Sequence, residues 1–201
     1  MANVTASAAL WQALGRTLGR LDAALLSFGH PGAFRAFDWH IAETPRARLR
    51  VAAVRDEGRR ALLAGVLDRF DSHVAPALPR LRHSVIHNDA NDWNVLVDEA
   101  GRAVSGLIDV GDAVFAPTIA DLAVAAAYAM LGAGDPAVAA EAIVRGFHEA
   151  LPLTSAEQAL LPDLVAARLA ISVSISAKRQ ATSDDPYFFV SEAPAWDLLQ
   201  W

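Results

Sequence analysis

The hydrophobic residues of this chain follow a helical period on both sides of one short segment with β-strand character. This pattern limits the fold to helices packed around a small β element. Leucines spaced three and four residues apart predict a first helix from Leu10 to Phe28, and a second apolar series predicts another from Val51 to Phe70. Beyond Pro117 the pattern is helical again. The helices predicted there lie near residues 118–132, 136–150 and 155–180.

Three short runs of β-prone residues separate the two helical parts, at 84–86, 95–97 and 104–108. The residues from Asp98 to Gly101 form a turn signal between the last two runs, which predicts a hairpin. We therefore expect a mainly α fold with a small β-hairpin element. A length of 201 residues without a visible linker predicts a single domain over residues 1–201.

Composition and charge exclude several functional classes. The absence of cysteine excludes disulfides and thiolate metal sites. Residues 83–201 carry a net charge of −11, which argues against a nucleic-acid footprint and suits a cation, a metal or an amine-bearing ligand. A solvated acidic surface is the alternative. The apolar charge-free stretch from Leu122 to Gly134 has 13 residues, against about 20 needed to cross a bilayer, so we expect a cytoplasmic protein without a membrane partner.

The chemistry-bearing residues are concentrated between His87 and Asp112, at the ends of the predicted strands. Asp89 and Asn94 bound a six-residue loop, and the hairpin returns Asp109 to the end of the sheet where Asn94 lies. Amide and carboxylate oxygens of this kind suit Mg²⁺. A carboxylate beside the metal, such as Asp89, can accept a hydroxyl proton. This order of base, amide ligand and carboxylate ligand is the pattern of phosphoryl transfer.

Simpler structural roles remain open for several of these residues. Asp92, Asp98 and Glu99 are also ordinary turn formers. His87 could equally be a packed, hydrogen-bonded imidazole that does not touch a substrate.

The run from His87-Asn88-Asp89 to Asn94, followed by Ile108-Asp109, resembles the catalytic core of the aminoglycoside phosphotransferase and choline kinase family. That family has a protein-kinase-like fold. The resemblance implies that Asp89 is the catalytic base and that Asn94 and Asp109 are ligands of Mg²⁺. It also implies ATP as the phosphate donor and a small-molecule substrate.

The same resemblance implies supporting roles for other residues. His87 and Asn88 belong to the catalytic loop, and Asp121 of Asp121-Leu122-Ala123 corresponds to a family residue that braces this loop. Asp92 and Asp112 are candidates for contacts with the substrate or the loop. Asn88 stands where the family usually has glycine.

The residues from Leu14 to Leu25, with Phe28 and His30-Pro31, are similar to a subgroup that resembles hydroxylysine kinase. Kinases of this fold carry a small β-rich lobe ahead of the catalytic loop, with a Gly-rich loop and a strand lysine. Nothing upstream of residue 87 resembles that lobe, and the chain's only lysine is Lys178. We therefore expect the C-terminal, helical lobe of a protein-kinase-like fold, with the N-terminal nucleotide lobe missing or supplied separately.

The expected function is ATP-dependent phosphotransfer to a hydroxyl of a small amine-bearing metabolite. One alternative is a catalytically inactive, pseudokinase-like binding module or a truncated gene product, because a lone lobe lacks most contacts to ATP. A third reading, a metal-dependent hydrolase, would need more histidine ligands than the loop contains.

Overall fold

The computed structural model describes Met1, residues 6–183 and residues 193–200. The helices are α1 (Ala8–Leu25), α2 (Glu57–Arg69), α3 (Ile119–Leu131), α4 (Pro136–Ala150), α5 (Ser155–Gln180) and α6 (Ala193–Gln200). The strands are β1 (His83–Ile86), β2 (Val95–Val97), β3 (Val104–Leu107) and β4 (Val114–Pro117). The predicted mainly α fold and the three helices beyond Pro117 are confirmed.

The chain divides into two compact units. The first combines Met1–Arg35 with Leu81–Leu161, and the second combines Ala36–Arg80 with the chain from Pro162 onward. All the predicted site residues lie in the first unit. The expectation of one domain over the whole chain stays a prediction.

The β element of the first unit consists of two antiparallel pairs. β2 and β3 form the predicted hairpin, with Val95 opposite Leu107. Its turn closes where Gly101 adopts a positive φ of 64°. β1 pairs with β4, with Ile86 opposite Val114. The sequence reading missed β4, because this four-residue strand pairs with a distant segment and no turn signal joins the two.

Helices α1 and α4 contact each other through their backbones. A Cβ atom on Gly146 would lie 1.9 Å from the carbonyl oxygen of Gln12, and one on Gly15 would lie 2.0 Å from that of Ile143. Glycine at these positions therefore lets the two helices approach closely. The contact fixes the position of α1, which also carries Asp22.

The long helix α5 begins at a capping box formed by Thr154 and Glu157. The amide of Thr154 donates to the Glu157 carboxylate at 2.8 Å, and the amide of Glu157 donates to Oγ1 of Thr154 at 3.3 Å. By length and composition alone α5 could cross a membrane. However, 67% of its most apolar 18-residue window is buried in the protein, as in a core helix.

In the second unit, the apolar series from Val51 to Phe70 does not form one α-helix. A 3-10 helix covers Ile41–Ala53, and α2 begins only at Glu57. The reason is local, because the Asp56 carboxylate accepts the amide of Arg59 at 2.8 Å and so caps α2 there. The sequence reading left residues 183–201 unplaced; α6 covers 193–200, and residues 184–192 and 201 lie outside the described residues.

Candidate active site

The candidate catalytic loop follows β1 directly and begins with a left-handed residue. Asn88 has a φ of 66°, a conformation that side chains other than asparagine and aspartate rarely adopt. The replacement of the family's usual glycine by Asn88 therefore has a physical explanation. The turn at Asn88 leads the chain from the buried strand to Asp89, which is half-buried.

His87 joins the two halves of the site. Its Nε2 lies 3.0 Å from the carbonyl oxygen of Ile108, the residue before Asp109. Its Nδ1 accepts the backbone amide of Asp89 at 3.3 Å. This pattern fits a neutral imidazole that carries its proton on Nε2. The buried His87 ring thus connects Ile108, the residue before Asp109, to the backbone of Asp89.

Asp89 and Asn94 are in direct contact. The Asn94 Nδ2 group donates to Oδ2 of Asp89 at 2.8 Å and to its backbone oxygen at 2.9 Å. Asn91 adds a third amide donor, to Oδ2 of Asp89 at 3.0 Å. These donors fix the orientation of the Asp89 carboxylate. Because the nitrogen of the Asn94 amide faces Asp89, its oxygen points away from that carboxylate.

Asp109 lies next to Asn94 across the hairpin. The backbone amide of Ile108 donates to the carbonyl oxygen of Asn94 at 3.0 Å, which extends the ladder of β2 and β3 to the site. Asp109 follows in a left-handed conformation with a φ of 62°. Its Oδ1 accepts the amide of Gly111 at 3.1 Å, which closes a short turn. Asp109 itself is exposed.

The turn after Asp109 is held by Arg35. The Arg35 Nη2 group donates to the carbonyl oxygens of Gly111 at 2.5 Å and of Ala113 at 3.2 Å. The neighbouring ring of Phe34 packs on Phe115 of β4, with the ring centroids 4.7 Å apart. The segment before Arg35 is therefore fixed on the same strand that follows the turn.

The donor set at this place fits a hard divalent cation. Asn94 offers its amide oxygen, which accepts no hydrogen bond from the described residues, and Asp109 offers an exposed carboxylate. Two protein ligands with the remaining positions left to water and phosphate oxygens are usual for Mg²⁺. The described residues contain no cluster of three His, Cys, Asp or Glu side chains that could hold a metal, so a site built on such a cluster is not found in them.

Asp121 braces the catalytic loop from the first turn of α3. Its Oδ2 accepts the backbone amide of His87 at 2.9 Å, and its Oδ1 accepts that of Asn88 at 2.7 Å. The carboxyl is fully buried, and burial raises its pKa, while the two backbone amides oppose this shift. Asp121 therefore holds the backbone at the start of the loop, and its role as a support of catalysis stays a prediction.

Asp22 of α1 is a residue of this site that the sequence reading missed. It is fully buried beside Asp121, and burial together with the Asp121 charge raises its pKa to about 11. A signal was present in the sequence, because Asp22 lies four residues after Leu18 on the apolar face of α1. A carboxyl group on such a face requires a buried partner.

Asp92 and Asp112 lie at the edges of this constellation. Burial raises the pKa of Asp92, and the chain's terminal amino group opposes the shift. A Cβ atom added at Gly132, just after α3, would lie 3.8 Å from Oδ2 of Asp92. Asp112 lies 4.0 Å from Arg35 in a half-exposed ion pair. The substrate contacts predicted for these two carboxylates stay predictions.

Comparison with known proteins identifies the same kind of family that the sequence motifs resemble. The "Phosphotransferase enzyme family" matches residues 2–160. The hydroxylysine kinase of Mus musculus is 28% identical over 200 residues, covering 93% of this chain and 53% of its own length. That of Xenopus laevis is 26% identical over 215 residues, covering 100% and 58%. The chain therefore spans about half the length of the curated relatives it matches.

Two solved structures share the fold. A microcompartment-associated aminopropanol kinase matches with a TM-score of 0.74 at 22% identity, over 96% of this chain and 61% of that one. An amicoumacin kinase in complex with AMP-PNP and Ca²⁺ matches with a TM-score of 0.64 at 14% identity, over 96% and 59%. The expected kinase-like fold is thereby confirmed. Because the family model matches residues 2–160, which is more than half of its length, the chain belongs to the phosphotransferase enzyme family.

Proposed function

We propose that this protein takes part in the transfer of the γ-phosphoryl group of ATP to a hydroxyl group of a small amine-bearing metabolite. The observation that carries this proposal is the contact between Asp89 and Asn94, with Asp109 adjacent across the hairpin. A fixed carboxylate base beside two hard oxygen ligands is the arrangement that phosphoryl transfer requires.

In this proposal, Asp89 orients the substrate hydroxyl and accepts its proton as the oxygen attacks phosphorus. The amide donors from Asn91 and Asn94 hold Oδ2 of Asp89 in place, so that the carboxylate is already oriented before the reaction begins. Asn94 and Asp109 would hold Mg²⁺. When bound, Mg²⁺ neutralises charge on the phosphate oxygens. His87 keeps the loop with Asp89 and the segment with Asp109 at a fixed separation.

The substrate class comes from the relatives. Hydroxylysine and aminopropanol, the molecules that appear in the names of two similar kinases, both carry a hydroxyl and an amine. The acidic second part of this chain is compatible with an ammonium group. We therefore propose an amino alcohol or a hydroxy amino acid as the acceptor, with Asp92 and Asp112 as candidates for its recognition.

We propose that further nucleotide contacts come from a β-rich lobe, either on the same protein or on a separate chain. An inactive binding module is less favoured, because the chain retains all three proposed functional residues, and the Asp89–Asn94 and Ile108–Asn94 hydrogen bonds support their proposed roles. A metal-dependent hydrolase is less favoured as well, because the described residues contain no group of three or more His, Cys, Asp or Glu side chains that could hold a metal ion.

The test is a transfer assay on the 201-residue chain with Mg²⁺, ATP and a panel of amino alcohols that includes hydroxylysine and aminopropanol. Asp89→Asn should abolish transfer and leave nucleotide affinity nearly unchanged, because the base does not bind the nucleotide. Asp109→Ala should weaken Mg²⁺-nucleotide binding itself, as measured by calorimetry. Asp98→Asn, in the hairpin turn, is the matched control and should change neither. Turnover by Asp89→Asn equal to that of the wild type would exclude Asp89 as the base.

Nucleotide binding by the chain alone is measured first. Absence of binding at millimolar ATP would show that the chain does not work by itself. The transfer assay is then repeated with a β-rich lobe supplied in trans.

A further inference from the structure

Two buried carboxyl groups lie side by side beneath the candidate catalytic loop. Asp22 of α1 and Asp121 of α3 are both fully buried. Both oxygens of Asp121 accept backbone amides, those of His87 and Asn88. The oxygens of Asp22 accept no hydrogen bond from an N–H or O–H group of the described residues, although they lie within hydrogen-bonding range of the Asp121 carboxyl.

Two ionised carboxylates are not stable together in a dry interior, because burial and mutual repulsion both oppose the second charge. The charged groups that face the pair do not remove this conflict. Arg82 faces Asp22, but its guanidinium is bound to the Glu157 carboxylate at 2.7 Å and to the carbonyl oxygen of Pro152 at 3.0 Å. His87 faces Asp121, and its ring already contacts Ile108 and Asp89.

One proton between the two carboxyl groups satisfies both of them. The two backbone amides on Asp121 stabilise its charged form, whereas no donor stabilises a charge on Asp22. The proton therefore belongs on Asp22. An O–H group there donates to Asp121, and every oxygen of Asp121 then remains an acceptor for the loop.

We propose that Asp22 is a positioning residue of the catalytic loop, which stays protonated at neutral pH and donates a hydrogen bond to Asp121. Through Asp121 it holds the amides of His87 and Asn88, and with them the left-handed turn that presents Asp89. The catalytic role of this loop rests on the proposed function. The hydrogen bonds through which Asp22 and Asp121 position the loop do not depend on that function.

Burial raises the pKa of Asp22 to about 11 in the folded protein, from 3.8 for an ordinary aspartate. Between these values the folded state binds one proton more than the unfolded state. Stability is then greatest below the unfolded pKa and decreases as the pH rises toward the folded one. A full proton corresponds to about a tenfold loss in the folding equilibrium constant per pH unit.

The first test measures urea unfolding of the whole chain at pH 6, 7 and 8. Asp22→Asn keeps an N–H donor toward Asp121 but cannot titrate. Relative to this variant, the wild-type folding constant should fall about tenfold per pH unit. Asp135→Asn, an exposed helix cap in the same unit, is the matched control and should parallel the wild type. If the folding constants of the wild type and Asp22→Asn change with pH in the same way, the proposal is overturned.

A measurement on the wild type alone removes the dependence on a variant that folds. The side-chain carboxyl ¹³C signal of Asp22 should keep its protonated chemical shift from pH 5 to pH 8. An ionised signal at pH 7 refutes the shared proton.

The positioning role is tested by hydrogen exchange at the amides of His87 and Asn88. Asp22→Asn should keep their protection, and Asp22→Leu, which has no donor, should lose it by tenfold or more. Equal protection in Asp22→Leu and the wild type would overturn the positioning role. In the transfer assay, kcat should fall in Asp22→Leu and recover in Asp22→Asn. If no variant transfers phosphate, the proposed function fails, while exchange and titration still decide this inference.

Discussion

The backbone contact between α1 and α4 predicts that a single methyl group will separate the two helices. In Gly146→Ala, the new Cβ atom would lie 1.9 Å from the carbonyl oxygen of Gln12. Ordinary contact between such atoms requires about 3.5 Å, so the helices must part by about 1.5 Å. The obstacle is backbone on both sides, and it cannot rotate away as a side chain could.

The cost follows from two opposing effects. Overpacking of a well-packed interior costs about 1–3 kcal/mol, and a backbone obstacle places Gly146→Ala at the upper end. Alanine gains about 1 kcal/mol over glycine within a helix. We therefore expect a net loss of about 2 kcal/mol in the free energy of unfolding. The separation should also move Asp22 of α1 away from Asp121, which reduces the protection of the catalytic-loop amides.

The assay is urea denaturation, with hydrogen exchange at the amides of α1. The control is Gly65→Ala in α2, where an added Cβ meets nothing within 4 Å. That change should stabilise the chain by about 1 kcal/mol through helix propensity alone. A Gly146→Ala variant that is as stable as the wild type, or more stable, would refute the reasoning.

Two further predictions concern the surroundings of the site. Arg35→Met should weaken Mg²⁺-nucleotide binding about fivefold in calorimetry. The reason is that the turn after Asp109 loses the hydrogen bonds from Arg35, worth about 1 kcal/mol. Unchanged affinity would contradict a role for Arg35 in placing Asp109. Glu157→Gln should destabilise the chain by about 2 kcal/mol at pH 7, because Arg82 loses its buried partner. Burial raises the pKa of Glu157, but the hydrogen bonds from Arg82 and Thr154 outweigh this and lower it below 4.5. The wild type therefore loses this stability as the pH falls, and the two proteins should converge in acid unfolding curves. A stability difference that does not shrink as the pH falls would contradict the ion-pair explanation.

Local patterns were sufficient to predict most of the helices and the β2–β3 hairpin of this fold. The helices beyond Pro117 and the hairpin with its Asp98 turn depend on neighbours in sequence, and apolar spacing reports these directly. The boundary of α2 was missed because one capping aspartate, Asp56, outweighed the apolar spacing before it. The loop from His87 to Asn94 was recognised because its functional groups are close in sequence.

Contacts between distant segments could not be predicted in the same way. The pairing of β1 with β4 joins segments separated by the whole hairpin. The place of Arg35 at the turn after Asp109, and that of Asp22 beside Asp121, depend on how helices and strands pack. Only Asp22 left a trace in the sequence, as a carboxyl group on an apolar helix face.

The left-handed backbone of Asp109 has a consequence for any attempt to engineer this protein. At a φ of 62°, glycine would relieve backbone strain of about 1 kcal/mol, but it would remove the carboxylate proposed to bind the metal. The hydrogen bond from the Gly111 amide offsets part of that strain only while the side chain offers an Oδ1 acceptor, as aspartate and asparagine do. Selection for heat resistance would therefore favour glycine at this position, whereas selection for turnover would favour aspartate. A library screened for stability alone would lose the active variants.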